Sequence, residues 1–336
     1  MRIKTVTPRK LPPKNLDWAS FGPVASRAHR ELGKLEALLQ KTPYKILTLL
    51  KMEEAIASIL PQGNHIKLSE LLAHSLNQLP VQPDLLPVSD YLAALDFLYK
   101  KRNHPLTLTQ LRKVHFLIKQ HTYVKKKDIG RFRDRQNWIG PKGCSIEQAY
   151  FFPPRHTRVL RDMKEWLRYT KTSEKDPLVQ ISLLFAQLLI IHPFMDGNGR
   201  VARALVPFFA HQKKLLSAPI LYMSHYFESN RAQYFQKLYL ISAANDWEGW
   251  ITFFLKGVIE QAQHVQKKIE NLSKANKALI EILDSKKTAD LLFEQLAFEK
   301  TMFQTRVWEQ LKKKRLIVPY RKNKLIYFLK YTLQVM

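Results

Sequence analysis

The sequence predicts a mainly α-helical protein, and three stretches carry that prediction. Pro177 to Ile191 (PLVQISLLFAQLLII) is apolar enough for a buried helix, which Pro193 stops. Val201 to Leu216 reads as a second helix with Ala, Leu, Val and Phe on its inner face. Within residues 17–82, SRAHRELGKLEALL and YKILTLLKMEEAIASIL show the same helical pattern.

Taken in order, residues 1–16 form a Pro-, Lys- and Arg-rich arm, expected to be poorly ordered as chain ends often are. The helical region that follows ends in NQLPVQPDLLP, whose prolines mark a connection. A mostly helical core comes next, closed by the helix Trp247–Asn271, which turns polar as it leaves the core. Asn271–Lys277 is expected to be a hinge. The expected division is 1–84, 85–270 and 275–336. A chain of 336 residues has room for two or three such units.

Composition narrows the class. A hydrophobic content of 46% is that of a globular chain, and not of a disordered one. Cys144 is the single cysteine, which excludes an internal disulfide and a thiolate zinc cluster. MRIKTVTPRKLPPK has no apolar signal region, and the run Ile181–Ile191 falls short of the ~20 residues a membrane span needs. The expectation is a cytoplasmic protein with no membrane partner. The net charge is +27, concentrated at Arg2–Lys14, Lys125–Arg135 and Lys312–Lys330, with no acidic residue after Glu309. Such a field attracts polyanions. Nucleic acid, acidic protein targets and a general basic bias all fit it.

The chemistry concentrates between Ile191 and Arg203, IHPFMDGNGRVAR. The loop delivers Gly197, Asn198 and Gly199 to a helix N-terminus, where unpaired amides and the dipole favour an anion. Glycines let those amides approach a ligand closely. Arg200 and Arg203 lie three apart, on one helix face, where both guanidinium forks can grip phosphate. Asp196 is a hard oxygen ligand suited to the Mg²⁺ of a polyphosphate. His192 titrates near neutrality and can take a proton from an attacking hydroxyl. The set points to phosphoryl-transfer chemistry. The alternatives are a glycine-turned corner with solvated charges, or a metal site on His192 and Asp196 that no nearby His/Cys cluster completes.

HPFMDGNGR followed by Arg203 resembles the signature of the Fic (filamentation induced by cAMP) family, whose members move nucleoside monophosphates onto protein hydroxyls. The resemblance implies a Fic-type helical core with a small β-hairpin flap. It implies His192 as the base acting on a target Tyr, Ser or Thr, and Asp196 as the Mg²⁺ ligand. Gly197, Asn198 and Gly199 would line the anion hole, Arg200 and Arg203 would meet the β- and γ-phosphates, and Phe194 would anchor the loop. Gly130–Pro154 resembles the flap, on whose residues Ala149, Tyr150, Phe151 and Phe152 a target segment docks as an added strand. Asp90–Leu95 and Leu106–Thr122 resemble the preceding helices. PILYMSHYFESNRAQYFQKLYL and Trp247/Trp250 resemble the part that closes over the nucleotide, with Tyr234 or Phe235 near the base. Singly, those aromatics also read as core. Gly199, where phosphate-transferring relatives carry Lys, implies transfer of AMP from ATP, and homodimers are common among such proteins.

One departure concerns control. Many relatives carry an inhibitory Ser-x-x-x-Glu-Gly helix, and the matching stretch here runs from Ser58 to Gln62 and Gly63. Gln62 is neutral where that pattern has a carboxylate, and Pro61 breaks the helix early. Self-inhibition through this segment is expected to be weak or absent; a plain Pro-Gln-Gly turn is the other reading.

The last sixty residues show helical patterns at Lys277–Leu283, Thr288–Phe298 and Met302–Leu316, then LIVPY and LIYFL flanking the turn RKNK. Three helices and a basic hairpin resemble a winged helix-turn-helix, whose third helix enters the DNA major groove. Gln304, Thr305, Arg306 and Lys312 are the expected DNA contacts, although such modules also bind proteins. Two functions therefore compete: a protein adenylyltransferase, and a DNA-binding regulator with a nucleotide-sensing Fic core. The first is preferred because His192 is redundant for sensing phosphate.

Overall fold

The computed structural model describes residues 5–59, 66, 68, 71, 83–121, 126–141, 143–283, 317–319 and 327–329. Among these, ten α-helices form the body: α1 (Trp18–Leu39), α2 (Tyr44–Ile59), α3 (Leu86–Lys101), α4 (Leu108–Lys119), α5 (Val159–Thr170), α6 (Pro177–Ile191), α7 (Asn198–Gln212), α8 (Ser224–Ser229), α9 (Arg231–Ala244) and α10 (Trp247–Leu283). None of the described helices is long and apolar enough to cross a membrane.

α6 is the axis of the core. Every residue from Leu178 to Ile191 is buried, so the run is apolar on all sides rather than striped. Asp176 caps it, accepting from the amides of Leu178 (2.8 Å) and Val179 (3.2 Å), with Pro177 at the first turn where no donor is needed. The other carboxylate oxygen of Asp176 meets His29 Nε2 at 2.9 Å, tying α1 to the start of α6. Buried polar groups on α6 are spent inside the fold. Gln180 Nε2 donates to the Tyr169 and Thr172 carbonyls, and Gln187 Nε2 to the Arg9 carbonyl. α5, α7, α9 and α10 pack around this helix, and α1 lies along α10.

α4 begins with a reciprocal cap, Thr107 Oγ1 accepting from the Gln110 amide and Gln110 Oε1 from the Thr107 amide. α2 is described as far as Ile59, and Pro61, expected to stop it, lies outside the described residues.

Three expectations change. The arm is not loose over its described part: Val6 donates to the Phe152 carbonyl at 3.0 Å, and Val6, Leu11 and Leu16 pack on the core. The hinge at Asn271–Lys277 and the separate helix at Lys277–Leu283 are both interior to α10, which runs unbroken for 37 residues. No Gly or Pro lies between Trp247 and Leu283 except Gly249 and Gly257, so nothing ends the helix at Asn271. The flap is not a regular hairpin either. Ile139 and Phe151 form one antiparallel bridge, with Ile139 donating to Phe151 at 2.9 Å. Pro141, Pro153 and Pro154 have no amide to extend that ladder.

At the C-terminal end, β1 (Ile317–Pro319) pairs antiparallel with β2 (Tyr327–Leu329), Val318 opposite Phe328, as the hairpin pattern predicts. Gln304, Thr305, Arg306 and Lys312, with the second and third helical patterns of the expected winged module, lie outside the described residues.

Candidate active site

The loop from α6 to α7 is held from four directions. His192 closes α6 in the left-handed conformation (φ 49°, ψ 59°), its amide bonded to the Leu188 carbonyl at 2.9 Å. A non-glycine residue there marks a constrained position. Its Nδ1–H donates to the Leu189 carbonyl at 3.2 Å. A carbonyl can only accept, so Nε2 keeps the lone pair. Burial pushes the imidazole down to about 4, which leaves it neutral at physiological pH.

The next residues lock themselves. Asn198 accepts from the Phe194 amide and donates to the Phe194 carbonyl, both at 2.9 Å, while Asn137 donates to the same carbonyl at 3.1 Å. The fully buried Phe194 ring stacks on His115 with centroids 3.9 Å apart. His115 Nδ1 accepts from the Gly130 amide and Nε2–H donates to the Asp196 carbonyl, both at 2.9 Å. That pairing requires a neutral ring, and burial pushes its pKa down to about 4.

Arg133 is the fourth hold. Its guanidinium donates to the carbonyls of His192 (2.9 Å), Ile191 (3.4 Å), Arg135 (3.3 Å) and Pro154. Both roots of the flap are thereby fastened to the loop.

α7 then starts at Gly197, at φ 81°, with no side chain capping it. The amides of Asn198, Gly199 and Arg200 have no helical carbonyl behind them, and they form the anion-favouring end of the helix. A Cβ on Gly199 would stand 3.1 Å from Arg203 Nη1. An alanine there would push that guanidinium aside by a few tenths of an ångström.

The charged residues divide. Arg203 lines a cavity of about 810 Å³ together with His192, Gly199, Tyr234 and the flap residues Tyr150 and Phe151. Its Nη2 donates to the Ser58 carbonyl at 2.9 Å, and its buried Nε has no partner among the described residues. Arg200, expected on the same face, is 3% exposed and reaches back to the Ile118 carbonyl at 3.5 Å, away from the cavity lining. Asp196 accepts from Lys119 Nζ at 2.5 Å and from the Gly197 amide at 2.6 Å. Burial opposes its ionisation, but the charge and hydrogen bond of Lys119 hold the carboxyl below its ordinary value.

Other expected residues are placed as follows. Phe235 lines the cavity beside Tyr234. Trp247 and Trp250 are core, Trp250 donating to the Ser182 carbonyl at 2.9 Å, and neither lines the cavity. Tyr150 is 72% exposed at the mouth, whereas the Phe152 carbonyl is taken by Val6 and the Ala149 amide by Ile146. Ser58 lines the cavity; Gln62 and Gly63 lie outside the described residues.

Sequence reading passed over His115, Lys119, Asn137, Arg133 and Glu54. Glu54 is buried between helices, accepting from Ser224 Oγ (2.6 Å), the Ser224 amide (3.2 Å) and Tyr91 Oη (3.0 Å). Its one sequence signal is a carboxylate on the apolar side of a helix.

The fold and site define a helical domain that presents a histidine and a helix N-terminus to one cavity. Residues 105–210 match the Fic/DOC family, and this part of the chain is a Fic domain. The protein adenylyltransferase fic-1 of Caenorhabditis briggsae is 29% identical over 118 residues, covering 34% of this chain and 22% of that protein. Its Caenorhabditis elegans counterpart is 32% identical over 79 residues, 24% of this chain and 14% of that one. The match thus spans about a fifth or less of these curated relatives. Among solved structures, a Fic family protein from Desulfovibrio desulfuricans superposes with a TM-score of 0.62 at 17% identity, covering 98% of both chains. A Fic domain containing signaling protein from Bacteroides thetaiotaomicron gives 0.57 at 18% identity, covering 74% of this chain and 97% of that one. These likenesses concern the fold.

Proposed function

We propose that the chain is a protein adenylyltransferase, which transfers AMP from ATP to a Tyr, Ser or Thr hydroxyl of a protein and releases pyrophosphate. One observation carries the reading. His192 Nε2, the only free lone pair of that ring, shares a cavity with Gly199 and Arg203 at the amide-rich end of α7. The volume of about 810 Å³ suits a nucleotide.

The phosphates lie on the amides of α7 and on Arg203, and the base lies against Tyr234 and Phe235. The acceptor enters past Tyr150, its hydroxyl facing Nε2. As its oxygen bonds to the α-phosphorus, the proton passes to Nε2 and the bond to the pyrophosphate oxygen breaks. The fixed tautomer and the Arg133 clamp hold Nε2 in place for that step.

Asp196 fits a divalent ion held mainly by phosphates and water. It is one carboxylate, 62% exposed, and no cluster of three or more metal-ligating side chains exists among the described residues. Mg²⁺ bound there would neutralise phosphate charge. The amide of Gly197 and Lys119 Nζ orient that carboxylate.

The test uses ATP labelled at the α- or the γ-phosphate. Label should reach protein from the α position only, and His192→Ala should abolish it. Transfer of γ-label, or equal labelling by the variant, rejects the reading.

A further inference from the structure

Lys119 is 3% exposed, and its Nζ meets an Asp196 carboxylate that is 62% exposed. Its stem lies over the loop: a Cβ on Gly197 would stand 3.2 Å from Lys119 Cδ. Arg200, also 3% exposed, is close enough to oppose the ammonium electrostatically, and Asp90 to favour it. Asp90 is already engaged by Gln120 and His121. Asp196 contributes counter-charge to a buried cation, and a bare divalent ion taking that carboxylate would add a double charge beside Lys119 and Arg200. A nucleotide triphosphate arriving with the ion brings the missing negative charge.

We infer that Lys119 is an internal counter-ion that keeps divalent metal off Asp196 until nucleotide is present. This rests on Asp196 as the metal ligand in the function proposed above. Lys119 is thus a positioning residue: it orients Asp196 and makes metal binding conditional, without touching the reacting atoms.

The experiment titrates Mn²⁺ into the full chain and follows the free ion by electron paramagnetic resonance, first alone and then with the α,β-methylene analogue of ATP. Lys119→Met preserves the apolar stem over Gly197, and Lys119→Gln also keeps a polar end. Both should bind Mn²⁺ alone at least about tenfold tighter than the parent, the scale of one charge-assisted hydrogen bond released. Lys119→Arg should behave as the parent. With the nucleotide analogue the difference should narrow to about twofold. Equal Mn²⁺ affinity for parent, Met and Gln variants without nucleotide overturns the inference. Asp196→Asn separates the two claims. If it binds Mn²⁺ with the analogue as well as the parent does, Asp196 is no metal ligand and both claims fall. If Asp196→Asn loses metal while Lys119→Met matches the parent, only the role of Lys119 falls.

Discussion

Arg133 and His192 are joined through the backbone, Arg133 Nε donating to the His192 carbonyl at 2.9 Å while the Arg133 amide donates to Pro193 at 2.9 Å. Arg133 is 4% exposed, and burial pushes its pKa down to about 10. It remains charged, and it donates to four backbone carbonyls. Arg133→Met should cost about 3 kcal/mol of unfolding free energy, because several buried acceptors lose their donor at ~1–3 kcal/mol each while the desolvated charge is also removed. Arg133→Lys should recover less than half, since one ammonium cannot span the fork. Urea unfolding measures both; an unchanged midpoint for the methionine variant contradicts this role.

The tautomer of His192 gives a pH prediction. Its pKa, pushed by burial to about 4, keeps the ring a competent base well below the usual imidazole range. AMP transfer should be flat from about pH 5 to 7 and fall only as pH approaches 4. An unperturbed histidine would lose half its activity near pH 6.5. The stability sign follows. The folded pKa is depressed, so this contribution is complete above about 6.5 and is lost as pH falls toward 4. His192→Ala should remove its share of that acid loss, while His115, also pushed to about 4, retains its own.

What the sequence made legible was whatever depends on local rules. The bounds of α6 follow from Asp176, Pro177 and Pro193. The phosphate-facing loop was readable because glycine, base, acid and arginine fall within thirteen residues. The supporting shell was not: His115, Lys119 and Arg133 reach the loop from 59 to 81 positions away in the chain, and helical periodicity does not say which face of α4 meets residue 196. The hinge expected at Asn271 failed for a related reason. Falling hydrophobicity marks where a helix leaves a core, and not where it ends. The loose arm failed because three scattered apolar residues, Val6, Leu11 and Leu16, are enough to seat it.

Gly199 offers a substitution whose two effects have opposite sign. Alanine favours the helical backbone by up to about 1 kcal/mol, so Gly199→Ala should raise or preserve the melting temperature. Its Cβ would stand 3.1 Å from Arg203 Nη1 and shift the guanidinium that lines the cavity by a few tenths of an ångström. ATP affinity should fall by about tenfold, or ~1.4 kcal/mol. Calorimetric titration beside a thermal melt checks both. Parallel loss of affinity and stability would mean that the residue serves folding rather than the ligand.

Glu54 links α2 to α3 through Tyr91 and to α8 through Ser224, beside the arginine that lines the cavity. Burial pushes its carboxyl up to about 7, against hydrogen bonds from Ser224 and the charge of Arg203, which act the other way. Because the folded pKa is raised above the usual 4.5, folding takes up a proton. The contribution is complete below about pH 4.5 and is lost as pH rises through 7, a change of about 3 kcal/mol at ~1.36 kcal/mol per pH unit. Histidines with lowered pKa act oppositely over part of that range, so the readout is a difference. The unfolding free energy of the parent minus that of Glu54→Gln cancels what the two proteins share. That difference should fall by about 3 kcal/mol between pH 4.5 and 7 and then level off. A flat difference would show that Glu54 ionises as an ordinary carboxylate and that its three donors outweigh its burial.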